Sequence, residues 1–280
     1  MRWNGRRSDN VEDARGGGGG KMVMGGGIGA LVIGLIVYLL GGDPSQVMQG
    51  AGSGGGQEKT ASEKQQEDIL VDRTSQVLAY TEEVWDSLFR VNGLTYQKPV
   101  LQVFDFQTSS GCGNAGSSMG PFYCPLDNKV YMDLSFFRDM EKQFGVAGDF
   151  PLAYVIAHEI GHHVQNQLGI SGKAQQYMQQ VSKTEANQMS VKLELQADFF
   201  AGVWAHHAHR MYHILEEGDI QEALNAASSV GDDRLQQQSQ GRVVPDAFTH
   251  GTSEQRMRWF RKGFTTGDMN QGNTFEARDL

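Results

Sequence analysis

Cysteine and proline are scarce in this chain, at two and six of 280 residues. Two cysteines exclude a disulfide-dense mini-protein, and so few prolines exclude collagen. No internal repeat is present, which sets aside solenoids and propellers. Positive charge is also short. The formal net charge is -9, and residues 1–21 hold five basic groups (Arg2, Arg6, Arg7, Arg15, Lys21) against Asp9, Glu12 and Asp13. That head is net +2, so the remainder carries -11. An acidic domain repels phosphate backbones, which argues against nucleic acid as a partner. With 39% hydrophobic and 20% charged residues, the chain is not disordered throughout.

Its 36 glycines are concentrated near the front. Residues 22–42 contain no charge and seven glycines, around the apolar core IGALVIGLIVYLL. About 20 residues cross a bilayer core of about 30 Å, and a basic head before such a run sets a cytoplasmic N-terminal side. The expectation is therefore a cytoplasmic head (1–21), a single-pass anchor in the inner membrane (22–42) with the lipid bilayer as partner, and a Gly/Ser/Gln-rich spacer (43–66). A domain (67–280) follows outside the cytoplasm. A cleaved signal peptide is the rival reading, because Gly50, Ala51 and Gly52 follow the run. Either exports the domain, where Cys112 and Cys124 are expected to form a disulfide. A zinc half-site lacks its close Cys or His partners.

Hydrophobic periodicity predicts a helix through Ile69, Val77, Val84, Trp85 and Phe89, and strands over residues 100–106 and 129–136. A helix over 151–168 opens at Pro151 and ends at Gly169. Further helices are expected over 187–209, from Asp219 with Glu222 as a capping box, and from Thr252 or Ser253 to Gly267. The fold class is α+β, a small sheet with several helices.

Inside the 151–168 helix stands His158-Glu159-Ile160-Gly161-His162. One helical turn separates the imidazoles, so both project from one face and can grip one metal ion. Glu159 beside them is placed to act as general base toward a water whose pKa the metal lowers. A catalytic zinc needs a third protein ligand. Glu194 supplies it on the next long helix, and Asp198, one turn on, accepts the remaining ring N–H of a ligating histidine, His158 by preference. Two carboxylates one turn apart repel unless a cation is near. His163 points about 100° away from His162. His206, His207, His209 and His213 read as groups at a helix terminus rather than as ligands.

HEIGHH followed by ELQAD resembles the gluzincin pattern of HExxH with a downstream ExxxD. With CGNAGSSMGPFYCP, YMDLSFF, ELQADFFAGVWA and THGTSEQR, the chain is similar to the bacterial "putative neutral zinc metallopeptidase" family of the YpfJ type. The resemblance implies a zincin-like, membrane-attached hydrolase with one Zn(2+) per chain and a peptide or protein substrate. A similarity between the THGTSEQR segment and membrane proteases implies that His250 steadies the oxyanion. Arg256 then orients His250 or neighbouring carboxylates. Gly251 stands where that pattern has proline. A strand near a zincin cleft pairs with substrate, so residues 129–136 or 117–123 are expected to offer an open edge. Two other readings share these residues: hydrolysis of cell-wall peptides, and a non-catalytic tethered scaffold with structural zinc.

Overall fold

Thr60 and Glu63 cap each other reciprocally, each side chain taking the other's backbone N–H. Helix α1 (Ala61–Val91) therefore starts at Ala61. That is several residues inside the expected spacer, which ends at the capping box rather than at residue 66. The structure is a computed structural model and describes residues 1–3, 5–16, 60–145 and 148–280. The run 22–42 lies outside these residues. Among the described residues no helix is long and apolar enough to cross a membrane.

The sheet has four strands in the order β1 (Val11–Asp13), β2 (Val100–Phe104), β6 (Lys129–Asp133), β5 (Phe122–Cys124). The first three run parallel, and β5 is antiparallel to β6. Between β2 and β5 a hairpin, β3 (Gln107–Ser110) with β4 (Gly113–Gly116), stands apart from the sheet. The disulfide Cys112–Cys124 ties its turn to the end of β5. Two expectations change here. The strand over 129–136 stops at Asp133, because Asp133 Oδ1 accepts the Ser135 N–H and turns the chain into α2 (Ser135–Phe144). Nor is its edge open: β2 and β5 flank β6, and β5 is the edge strand.

The head is part of this domain. Residues 11–13 form β1, in register with Leu101, Gln102 and Val103, and the Met1 side chain is buried.

Among the described residues seven α-helices follow α1: α2, α3 (Phe150–Gln167), α4 (Ile170–Met178), α5 (Lys183–Tyr212), α6 (Asp219–Ser229), α7 (Asp232–Gln240) and α8 (Ser253–Thr266). Helix α5 begins at a second capping box, Ser182 with Glu185, and α8 at a third, Thr252 with Gln255. Asp219 and Glu222 make no such box. Asp219 instead accepts the Glu216 N–H, and Glu222 that of Phe150. The core joins Trp85 of α1, Ile156 and Ile160 of α3, Phe199 and Phe200 of α5, and Phe260 of α8.

Glycine sets the spacing of the central helices. A Cβ on Gly161 would lie 2.9 Å from the Ala197 carbonyl oxygen, and one on Gly263 only 2.0 Å from that of Phe199. Helices α3 and α8 thus touch α5 backbone to backbone. Gly263→Ala would gain about 1 kcal/mol of helix propensity. It would also force α8 away from α5, and a contact this close to backbone belongs in the upper part of the overpacking range, about 2–3 kcal/mol. Net destabilisation by about 1–2 kcal/mol is expected from urea unfolding, and an unchanged midpoint would refute the contact.

Candidate metal centre

Helix α3 carries His158, Glu159 and His162, and α5 carries Glu194 and Asp198. The close approach at Gly161 brings the two sets together. His158 Nε2 lies 3.1 Å from Glu194 Oε2, and His162 Nε2 lies 3.4 Å from Glu194 Oε1. One ligand atom from each of the three residues fits within a 4.8 Å set. Donors held about 2.0–2.2 Å from a tetrahedral ion stand roughly 3.3 Å apart, so two imidazoles and one carboxylate at these separations fit zinc.

The other ring nitrogens are held from behind. His158 Nδ1 is 2.9 Å from Asp198 Oδ1, the partner expected from sequence. His162 Nδ1 faces Gln165 Oε1 at 2.9 Å. Gln165 is fully buried and donates through Nε2 to the Leu193 carbonyl and to Gln196. Both histidines therefore keep a proton on Nδ1 and turn Nε2 toward Glu194.

Asp198 has no solvent exposure and is the hub of a buried network. Arg256 grips it with both Nε (2.8 Å) and Nη2 (3.0 Å), and Tyr154 donates its hydroxyl to it at 2.6 Å. Arg256 thus orients Asp198, the second of the roles expected for it. Buried and directed at this carboxylate, it holds the site rather than meeting a substrate. His250 is anchored separately: its Nδ1 lies 3.1 Å from Asp232 Oδ1. Asp232 Oδ2 accepts the backbone N–H groups of Thr249, His250 and Gly251. The glycine at the position of the expected proline has φ +90°, where proline cannot follow, and its N–H is one of those three donors.

Burial and mutual charge shift these groups in opposite directions. Burial alone would strip the proton from His158, but the Asp198 and Glu194 carboxylates hold its pKa up to about 10. Burial would raise Glu194, yet the two histidines keep it well below the usual carboxylate range. Burial would likewise raise Asp198, and the Arg256 guanidinium with His158 holds it below. Glu159 goes the other way: burial raises it, more than the neighbouring histidines lower it.

His163 is buried away from the centre, where Nε2–H donates to the Gln97 carbonyl and Nδ1 meets the Tyr123 hydroxyl. His206 and His207 reach the Phe264 and Gly267 carbonyls at the end of α8. Sequence reasoning missed Tyr154, Gln165 and Asp232. The first two lie one turn from His158 and His162 on their own helix, a spacing that could have marked them. Asp232 lies 18 residues before His250 and had no such signal.

Residues 1–275 match the family model described as "Putative neutral zinc metallopeptidase". The chain is 50% identical to the "Uncharacterized protein YpfJ" of Escherichia coli strain K12 over 98% of this chain and 99% of that one. It is 47% identical to uncharacterized proteins of Mycobacterium bovis and Mycobacterium tuberculosis, over 66% of this chain and 65% of theirs. No solved structure matches it.

Proposed function

Because the chain belongs to the putative neutral zinc metallopeptidase family, we propose that it is a zinc-dependent endopeptidase held together by His158, His162 and Glu194. The observation that carries this is the convergence of both Nε2 atoms on one carboxylate, with Glu159 adjacent in sequence to the first histidine. Three protein donors leave a fourth position for water or substrate, whereas structural zinc sites are closed by four. This favours catalysis over a scaffold.

Bound zinc supplies an activated water and polarises the scissile carbonyl. Glu159 takes the proton of the attacking water and passes it to the leaving amine. Its upward shift brings its basicity nearer to the working pH. Asp198 and Gln165 hold the two imidazoles in the ligating tautomer. Asp232 takes the Nδ1 side of His250, which leaves Nε2–H to donate to the oxyanion. Edge strand β5 packs on α3 through Tyr123, whose hydroxyl meets His163 and Asn166. Its open side offers an extended peptide backbone a place to pair. The Cys112–Cys124 disulfide supports work in an oxidising compartment outside the cytoplasm.

The test is the full chain loaded with zinc and incubated with a diverse peptide library read by mass spectrometry. Cleavage that stops with a chelator and returns with zinc is expected. Cleavage that persists in full after zinc is removed would overturn the proposal.

His250 carries a separate prediction. Burial would lower its pKa, but Asp232 and the nearby Glu194 raise it above the usual histidine value. The doubly protonated ring is therefore kept to higher pH, and activity should fall on the alkaline side as that proton leaves. Asp232→Asn should move this alkaline limb to lower pH, and His250→Ala should cut kcat by about 10²–10³-fold with zinc retained. A pH–rate profile unchanged by Asp232→Asn would rule the pair out.

A further inference from the structure

Charge bias and the apolar run 22–42 place the head and the peptidase domain on opposite faces of a membrane. The packing of residues 1–16 points to a different arrangement. We infer that residues 1–16 are a strand-bearing part of the peptidase domain itself. Head and domain then share one side of any membrane. This stands apart from the peptidase reading and does not depend on which side is occupied.

Main-chain bonds stitch the head to three separate regions of the domain. Arg2 N–H donates to the Ile214 carbonyl beyond α5, at 2.7 Å, and Ser8 N–H to that of Ser75 in α1, at 3.0 Å. Leu101 N–H donates to Asn10 (2.9 Å) and Ala14 N–H to Val103 (2.8 Å), continuing the β1–β2 ladder. Leu101 and Val103 have no solvent exposure. Without β1 the β2 edge would present unpaired backbone groups.

One buried and one partly buried acid of the domain are also answered from the head. Glu82, 4% exposed, accepts from Ser8 Oγ and Asn10 Nδ2, both at 2.6 Å. Trp3 Nε1 donates to Asp149 just ahead of α3, at 3.0 Å. A buried carboxylate without such donors is costly. The exposed pairs Arg6–Glu83 and Arg7–Asp72 add little.

The geometry of departure and return agrees. Arg15 Nη2 lies 2.8 Å from Asp68 Oδ1, and Gly16 N–H donates to Asp105. Asp68 sits in the second turn of α1, so the chain leaves after Gly16 and rejoins at Thr60 at the same pole of the domain. One crossing of a core about 30 Å thick would carry these two points to opposite faces. Two crossings would need about 40 apolar residues, and the uncharged run has 21.

The test uses the full-length chain in intact cells. Asp9→Cys in the head and Glu217→Cys in the domain, both at exposed positions, are treated separately with a membrane-impermeant maleimide before and after lysis. The unsubstituted chain treated in parallel gives the background from Cys112 and Cys124. The same pattern at both positions is expected, whether open or shielded. Labelling of one before lysis and the other only after would overturn the inference. A second variant carries Glu12→Cys with Gln102→Cys, register partners on β1 and β2. A short bis-maleimide given before any fractionation should join them within one chain. Two cysteines that label singly after lysis but never join would likewise overturn it.

Discussion

Replacing Glu159 with glutamine is expected to leave one zinc bound per chain and to lower peptide turnover by about 10²–10⁴-fold, the range for loss of a positioned general base. The ligand set explains why the two effects separate. His158, His162 and Glu194 provide the converging donor atoms, and Glu159 is not among them. Glutamine keeps the size of the side chain in its buried place but cannot take a proton. Metal analysis beside steady-state kinetics on the same preparation checks the result. Loss of zinc together with activity would mean that Glu159 shapes the site. Retention of activity would mean that another group takes the proton. Glu194→Ala, by contrast, should lose the metal itself.

The largest effect on stability is expected at Asp198. In Asp198→Ala the Arg256 guanidinium, 3% exposed, loses both of its bonds to this carboxylate, and His158 Nδ1 and the Tyr154 hydroxyl lose their acceptor. Breaking one partner of a buried charge pair typically costs about 3–5 kcal/mol. Loss of the outer partner of a ligating histidine typically costs about 10–100-fold in metal affinity. Chemical denaturation and zinc titration read these separately. Adding Arg256→Met to Asp198→Ala removes the unpaired cation, so stability should recover in part while zinc affinity does not. Equal recovery of both would show that affinity was lost only through unfolding. The pH dependence has a definite sign. Asp198 is held below its unfolded pKa of about 3.9. Its contribution is complete above that value and is lost as pH falls through the folded one. The Asp198→Ala chain should lack this share of the acid loss.

The candidate metal cluster was legible because one helical turn imposes a spacing that sequence displays directly: His158 with His162, and Glu194 with Asp198, the outer partner of His158. What joins the two pairs was less visible. Gly161 reads as an ordinary filler of the motif, yet a side chain there would meet the α5 backbone. The role of Arg256 could be narrowed only to two targets, because the choice depends on how α8 lies across α5. Asp232 reaches His250 through a loop whose path no periodicity encodes. Capping boxes at Thr60 and Ser182 were present in the sequence and would have corrected two helix starts. The seat of the head was hidden for a different reason. Its basic residues before an apolar run carry the statistics of a membrane topology, while β1 is three residues long and too short to show alternation.

The pairing of Arg2 with the Ile214 carbonyl has a consequence for how the protein is made. A ribosome delivers residue 2 more than two hundred additions before residue 214. Arg2 must therefore wait for all of those additions before its acceptor carbonyl exists. Folding of this domain cannot simply run from front to back. It closes on its own beginning, so premature sequestration of the first residues by any other surface would compete with the last step of assembly.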